Sequence, residues 1–324
     1  FCRLSLDDRV PDHSSLSRIR DRFGEDIFEA IFTRIVLTCK EKGLVPERSR
    51  VITDATLIPA DASLNSMVHN DPEEAKKEAE AERERRSTSP TSPTRKLTNK
   101  SHTSRTDPDA TLAQKLGTPR TLKYKVHQTI DADSRVILDS KVTTGARHDN
   151  QPYLDQIKRV RARCQIEIEE AIADRGYGSA EIIRSHQQDG VTTFIPLWSG
   201  KVGNSKHVAA EGWVYEKSKD RYRCPAGKYL TRCPSKDGIY QRYASDPKDC
   251  QSCPEASNCT AAQKGTRYQR HVLRNVNQDL YEEVQARMRD PTFRQRAAER
   301  MWKIEGLFAE AKQHHRLSLS LIHI

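Results

Sequence analysis

Three acids, far apart in the chain, stand where an acid is costly or conspicuous. Asp54 sits in the middle of residues 49–58, a run rich in β-branched residues that predicts a strand. A carboxylate at the centre of an apolar strand costs free energy unless a metal or a cation pairs it. Asp174 follows Ala171-Ile172-Ala173 and opens Asp174-Arg175-Gly176-Tyr177-Gly178, so it ends a second strand just before a glycine-rich turn. Open α/β sheets place their ligands beyond the carboxyl ends of such strands. Glu305 lies beside the apolar stripe Phe293, Ala297, Ile304, Phe308 and Ala311 of a final helix predicted over residues 292–315. Hard oxygen ligands of this kind suit Mg²⁺ or Mn²⁺. Two such ions, about 3.5–4 Å apart, activate a nucleophile and stabilise a leaving oxygen in phosphodiester displacement.

Thiols offer a second chemistry. Of eight cysteines, Cys2, Cys39 and Cys164 are scattered, whereas Cys224, Cys233, Cys250, Cys253 and Cys259 are clustered. Cys250-x2-Cys253 has metal-hook spacing, and Cys224 and Cys259 complete a tetrahedral thiolate set for structural Zn²⁺. Free thiols in a loop-rich insertion are the plainer alternative. There is no signal-peptide pattern, so a reducing cytoplasm is expected rather than a disulfide framework.

Bases surround Glu305. Lys312 is two turns along the same helix face, and Arg294 and Arg316, eleven residues to either side, are assigned to that face too. Arg300 is near in sequence but is read as facing away. Asp131, Asp133 and Asp149 are rival acids, assigned to turn and cap roles.

The elements that must position these residues follow from the pattern. Residues 1–45 read as helical, with a start signal at Pro11-Asp12-His13-Ser14 and an apolar stripe at Leu16, Ile19, Phe23, Ile27, Ile31 and Ile35 expected to pack on a neighbour. Gly24-Glu25-Asp26 is expected to break it in two. Residues 46–70 and 107–200 read as the core, with a hairpin at 124–130 and 136–142, a helix opened by Asp149 and Pro152, and a strand at 191–197. Residues 71–106, highly charged and then Ser/Thr/Pro-rich, read as an unstructured or loosely helical linker. Residues 201–275 form the Cys-rich insertion, and 276–324 carry the helix that completes the site. The fold class is therefore α/β, a mixed sheet of ribonuclease-H-like order with flanking helices.

Composition agrees with a polyanion partner. The 324 residues carry 55 Lys+Arg against 45 Asp+Glu, a net charge of +10. Only 35% are hydrophobic, below the usual ~45%, so part of the chain lies outside any packed core. Mean hydropathy is −0.81, and no apolar run approaches the roughly 18–20 residues of a membrane helix.

Five segments in order carry a resemblance. They are residues 10–20 (Val-Pro-Asp-His-Ser-Ser-Leu-Ser-Arg-Ile-Arg), Thr53-Asp54-Ala55-Thr56, Tyr124-Lys125-Val126-His127 with Asp131-Ala132-Asp133-Ser134, Ala173-Asp174-Arg175-Gly176-Tyr177, and Glu305-Gly306-Leu307-Phe308-Ala309-Glu310-Ala311-Lys312 with His314-His315. Together they resemble a bacterial insertion-sequence transposase of the DDE class. The resemblance implies cleavage of double-stranded DNA at transposon inverted repeats and joining of the freed 3′-hydroxyl to target DNA. It implies Asp54, Asp174 and Glu305 as ligands of two Mg²⁺ or Mn²⁺ ions, and Lys312 as a DNA contact, with Arg175, Arg294 and Arg316 beside it. It further implies a homodimer on paired ends and a bacterial cytoplasmic location. The chain departs from the family's tyrosine–arginine–glutamate–lysine signature, since Met301 and Ala298 occupy the arginine and tyrosine positions. Trp198 or Trp213 is a candidate for stacking on a flipped base, with ordinary packing as the alternative. The apolar tail from Ser318 to Ile324 is unlike the family and suggests truncation. Two other readings stay open: a non-catalytic, zinc-stabilised DNA-binding remnant, and a zinc-organised interaction protein whose acids are structural.

Overall fold

A computed structural model describes residues 13–88, 96–198, 212–234, 238–255, 259 and 269–317. Cys2, the Pro11-Asp12 start signal, residues 89–95 and the 318–324 tail lie outside them. The chain divides into two compact units, residues 1–195 with 292–324, and residues 196–291. No helix among the described residues is long and apolar enough to cross a membrane.

The first unit is built on β1 (Arg48–Pro59). Val51, Ile52 and Thr53 are fully buried, as expected of a central strand covered on both faces. β5 (Thr121–Asp131) pairs antiparallel with β1, and β6 (Ile137–Thr144) antiparallel with β5. On the other side β7 (Glu167–Ala173) runs parallel to β1, and β8 (Thr192–Phe194) parallel to β7. The sequence β6-β5-β1-β7-β8 is the ribonuclease-H-like mixed sheet that the residue pattern predicts; β4 (Thr111–Ala113) adds to the start of β5. β8 is shorter than the expected 191–197.

Helices α1 (His13–Glu41), α3 (Tyr153–Cys164) and α4 (Ala180–Gln188) accompany this sheet. Tyr153, Ile157 and Val160 of α3 and Ile182 of α4 form one cluster with Val51, Ala171 and Leu138. In α1, Gly24 breaks the helical path with φ 71°, ψ 177°, as Gly24-Glu25-Asp26 suggested. The expected stripe does not pack, however. Ile19, Phe23, Ile27, Ile31 and Ile35 are exposed, and the core instead receives Phe32, Val36 and Cys39. The reason is local: only the last turns of α1 meet α3, where Arg163 stacks over Phe32 at 5.3 Å.

The 71–106 segment also differs from expectation. Residues 72–88 form a regular helix, α2 (Pro72–Thr88), capped by Asp71, whose Oδ1 accepts from the Glu73 and Glu74 amides at 2.9 and 3.3 Å. β3 (His102–Ser104) pairs with β2 (Met67–His69), and the Asn99 side chain exchanges hydrogen bonds with the Leu112 backbone at 2.8 and 2.9 Å. Polar side chains that bond backbone groups fix this stretch where apolar burial is scarce.

The second unit is an antiparallel meander of β9 (Val214–Glu216), β10 (Arg221–Arg223), β11 (Tyr229–Cys233), β12 (Tyr240–Ser245) and β13 (His271–Asn275). Two helices belong with it, α5 (Pro247–Gln251) and α6 (Gln278–Arg287). Tyr222, Leu230, Tyr243 and Val272 make its core, and the Tyr215 and Tyr243 hydroxyls both donate to Asp220, at 2.7 and 2.5 Å.

The chain then returns to the first unit as α7 (Pro291–His314), which buries Phe293, Ile304 and Phe308 as the apolar stripe predicts. It also buries an acid the sequence did not single out. Glu299 is 6% exposed and accepts from Arg50 at 2.8 Å, Arg296 at 2.9 Å and Lys303 at 2.7 Å. Burial pushes its carboxyl up, but hydrogen bonds from Lys303, Arg296 and Arg50 prevail and hold it at about 2. The folded value lies below the unfolded one, so this stabilisation is complete above pH ~4.5 and is lost as pH falls toward 2. Replacing Glu299 removes the acid that three cations share, although Glu170 and Asp133 still pair with them. Urea unfolding of Glu299→Gln at pH 7 should show a loss of roughly 1–3 kcal/mol, with a smaller further loss on acidification than the wild type suffers. An unchanged midpoint would exclude the clamp.

Candidate active site

Successive strand residues alternate faces, so Arg50, Asp54 and Thr56 of β1 share one face. Each meets α7. Arg50 pairs with Glu299, Asp54 with Arg300 and Thr56 with Lys312, the last at 2.7 Å. From 50 to 56 a strand advances about 20 Å. From 299 to 312 a helix also advances about 20 Å. The two elements are commensurate over this span, which is how the two end contacts form; Asp54 between them is met by the long side chain of Arg300, the helix neighbour of Glu299.

Parallel pairing sets the second acid. Thr53 of β1 is in register with Ala173 of β7, so the next residues along, Asp54 and Asp174, emerge side by side at the same edge. Asp174 leaves the sheet in extended conformation and caps a short 3₁₀ turn, Arg175–Tyr177, with Oδ1 accepting from the Gly176 amide at 2.7 Å. Gly176 approaches closely: a Cβ there would lie 2.9 Å from Asp174 Oδ1 and would push the carboxylate from its place. Asp54 is fixed in a similar way, its Oδ1 accepting from the Ala55 amide at 2.8 Å.

The third acid arrives through a base. Arg300 does not face away, as its place on the helix suggested. Its Nη1 lies 2.6 Å from Asp54 Oδ2 and 2.7 Å from Glu305 Oε1. A position on a helical wheel fixes the Cβ, but the guanidinium ends a long flexible stem that crosses to the neighbouring face. Burial works against the charge of Arg300, yet the fields of Asp54, Glu305 and Asp174 prevail and raise its pKa. Asp54 is 8% exposed, and burial, helped by Asp174, lifts its carboxyl to about 6 although Arg300 and the Ala55 amide pull the other way.

A buried tyrosine completes the edge. Tyr177 is fully buried and its hydroxyl has no hydrogen-bond partner among the described residues. Burial raises its pKa well above the usual value, and the fields of Asp54, Asp149 and Asp174 add to this. Sequence reasoning passed over Tyr177, although it lies inside the Asp174 motif.

The other expected residues divide. Lys312 donates to Thr56 Oγ1 and, at 3.3 Å, to the Leu57 carbonyl; burial, with Lys115 and Lys123 nearby, lowers its pKa. Arg316 does not share the face of Lys312. The helix stops at His314, and Arg316 takes φ 56° while the Leu317 amide bonds back to the Ala311 carbonyl, a left-handed C-terminal cap. Arg294 lies in the first turns of α7 and Arg175 in the turn after Asp174. Asp131 does act in a turn, accepting from the Ser134 amide at 2.7 Å, while Asp133 pairs with Arg50. Asp149 is no helix cap: α3 is preceded by Pro152 without a side-chain cap, and the Asp149 carboxylate is taken up by Lys125 at 2.7 Å. In the second unit Trp198 is exposed, and Trp213 packs on the Tyr222 cluster.

Among the described residues, no three acid, histidine or cysteine side chains converge closely enough to hold a metal ion. At the acidic edge Arg300 itself stands between the carboxylates. Two hard oxygens already meet one positive centre there, beside an orphaned phenol, and that donor set fits a divalent cation. The cysteines are less gathered. Burial raises the pKa of Cys259, Arg270 opposes this, and Cys250, Cys253 and Cys224 raise it further. Their donor type fits zinc.

Residues 223–321 match a family model described as Transposase DDE domain. The match takes in Glu305, Lys312 and the clustered cysteines, and does not reach Asp54 or Asp174. No curated protein matches the chain. Among solved structures it is similar to the cryo-EM structure of a piggyBac transposase synaptic complex with hairpin DNA, at 10% identity and a TM-score of 0.31. That likeness covers 93% of this chain and about half (48%) of the other, and is too distant to bear on the argument.

The raised pKa of Asp54 has a measurable sign. The folded value exceeds the unfolded one, so ionising Asp54 costs stability; the penalty is absent below pH ~4 and complete above pH 6. In chelator-containing buffer Asp54→Asn should be more stable than the wild type at pH 8, by up to about 3 kcal/mol, with the advantage vanishing at pH 4. Parallel melting curves that never converge would refute this assignment.

Proposed function

We propose that this chain, whose residues 223–321 fall in the Transposase DDE domain family, is a DNA transposase whose catalytic acids are Asp54, Asp174 and Glu305. The observation that carries the reading is the meeting of Asp54 and Glu305 on one cationic atom at the edge where Asp174 emerges. Three carboxylates brought to one sheet edge from distant parts of a chain have little structural use, since gathering like charges is costly. Bound divalent cations would supply activation of the attacking oxygen and stabilisation of the leaving one.

The protein's own residues have separate tasks. Asp54 and Asp174 are held by the Ala55 and Gly176 amides, which fix the direction of their second oxygens. Glu305 rides on α7, whose position is set by Glu299 at one end and Lys312 at the other. Arg175, Arg294, Lys312 and Arg316 are assigned to the phosphates of double-stranded DNA, consistent with the net charge of +10. Cys224, Cys250, Cys253 and Cys259 are assigned to one structural zinc.

Two measurements test this. Incubated with inverted-repeat DNA and Mg²⁺ or Mn²⁺, the wild type should nick transposon ends, and Asp54→Ala, Asp174→Ala and Glu305→Ala should each lower the rate by roughly a thousandfold or more. Cleavage that survives all three substitutions excludes the site; DNA binding without cleavage favours a non-catalytic remnant. Elemental analysis of the purified chain should find one zinc per molecule, lost in Cys250→Ser/Cys253→Ser. A metal-free wild type would leave the cysteines as ordinary thiols.

A further inference from the structure

A single guanidinium nitrogen of Arg300 touches two of the three candidate acids. Nη1 is 2.6 Å from Asp54 and 2.7 Å from Glu305, and the Asp174 field reaches it as well. The nitrogen of Arg300 thus stands at the point shared by two of the carboxylates. A metal ion bridging Asp54 Oδ2 and Glu305 Oε1 takes the two oxygens that Arg300 now engages. Both cations cannot hold the same lone pairs at full strength.

We propose that Arg300 is an internal counter-cation of the acidic site, keeping Asp54 and Glu305 neutralised and together until divalent metal displaces it. The inference rests on the metal-dependent reading above. It assigns Arg300 a positioning role, because the residue acts through the carboxylates. Three of its features suit such a role. The side chain is four-fifths buried, so it is an integral part of the edge rather than a solvent-facing pair. It comes from the helix that carries Glu305, five residues earlier, so its withdrawal leaves Glu305 in place. And an arginine cannot lose its proton to escape the competition, so only a rival cation or a conformational change removes it.

Competition has a sign opposite to support. If Arg300 merely braced the site, removing it would weaken metal binding; if it competes, removing it strengthens binding. Mn²⁺ affinity of the full chain without DNA, followed by electron paramagnetic resonance of the free ion, reads this directly. Arg300→Gln should bind Mn²⁺ about tenfold more tightly than the wild type, within the usual range of coupling between two ligands of one site. Arg300→Lys, which keeps a charge, should stay within about threefold of the wild type, and its circular dichroism controls for folding. In the wild type itself, the side-chain Nε–H signal of Arg300 in a ¹⁵N spectrum should lose its protection from exchange when Mg²⁺ is added. Equal or weaker Mn²⁺ binding by Arg300→Gln, or an Arg300 signal indifferent to Mg²⁺, overturns the inference. Asp54→Asn and Glu305→Gln distinguish the two levels of the argument: Mn²⁺ binding that persists in both refutes the metal site itself, while binding lost in both with no gain in Arg300→Gln refutes only the role of Arg300.

Discussion

The placement of α7 along one face of β1 is the constraint on which the site depends. The helix meets the strand at both ends, through Glu299 and Lys312, and Arg300, next to Glu299, reaches forward to Asp54 with its long side chain. The force of these contacts is geometric. Two elements of different rise per residue match over about 20 Å, so fixing either end fixes the middle, where Glu305 sits. The buried Glu299 cluster is the firmer anchor, because an acid surrounded by three cations in a half-dry setting tolerates little displacement.

The sheet makes the complementary demand. β1 is central, with antiparallel partners on one side and parallel ones on the other. Parallel pairing with β7 sets the end of that strand beside the middle of β1, and so two acids that are 120 residues apart become neighbours without any long side chain. Close approach of Gly176 to Asp174 shows how tightly the acidic edge is drawn. Burial then acts on Asp54 in a direction that favours proton or cation uptake.

What was legible in the sequence was whatever a single strand or helix determines alone. Asp54 and Asp174 announced themselves because strand residues alternate and end predictably, and the Phe293–Phe308 stripe named the buried face of α7. The order of the strands followed from those elements. What escaped notice depended on reach or on partners. Arg300 was misplaced because helix periodicity locates a backbone and not the tip of a long side chain. Glu299 was hidden because its partner, Arg50, is 249 residues away. The stripe in α1 was misjudged because only the helix's last turns meet α3, and Phe32, Val36 and Cys39 happen to point that way. Composition reads 71–106 as unstructured or loosely helical, and it does not register the order that Thr and Asn side chains bonding the backbone give to residues 96–106.

The second unit enters between β8 and α7, so the last acid is separated from the sheet that receives it by the span 196–291. Closing a loop costs entropy that grows only with the logarithm of its length, about 0.6 kcal/mol per doubling. A detour of this size is therefore nearly as cheap as one half as long, provided that the returning helix finds its seat. Because that seat is defined by Arg50, Asp54 and Thr56, all earlier in the chain, the intervening module is free to grow, shrink or be exchanged without altering where Glu305 comes to rest.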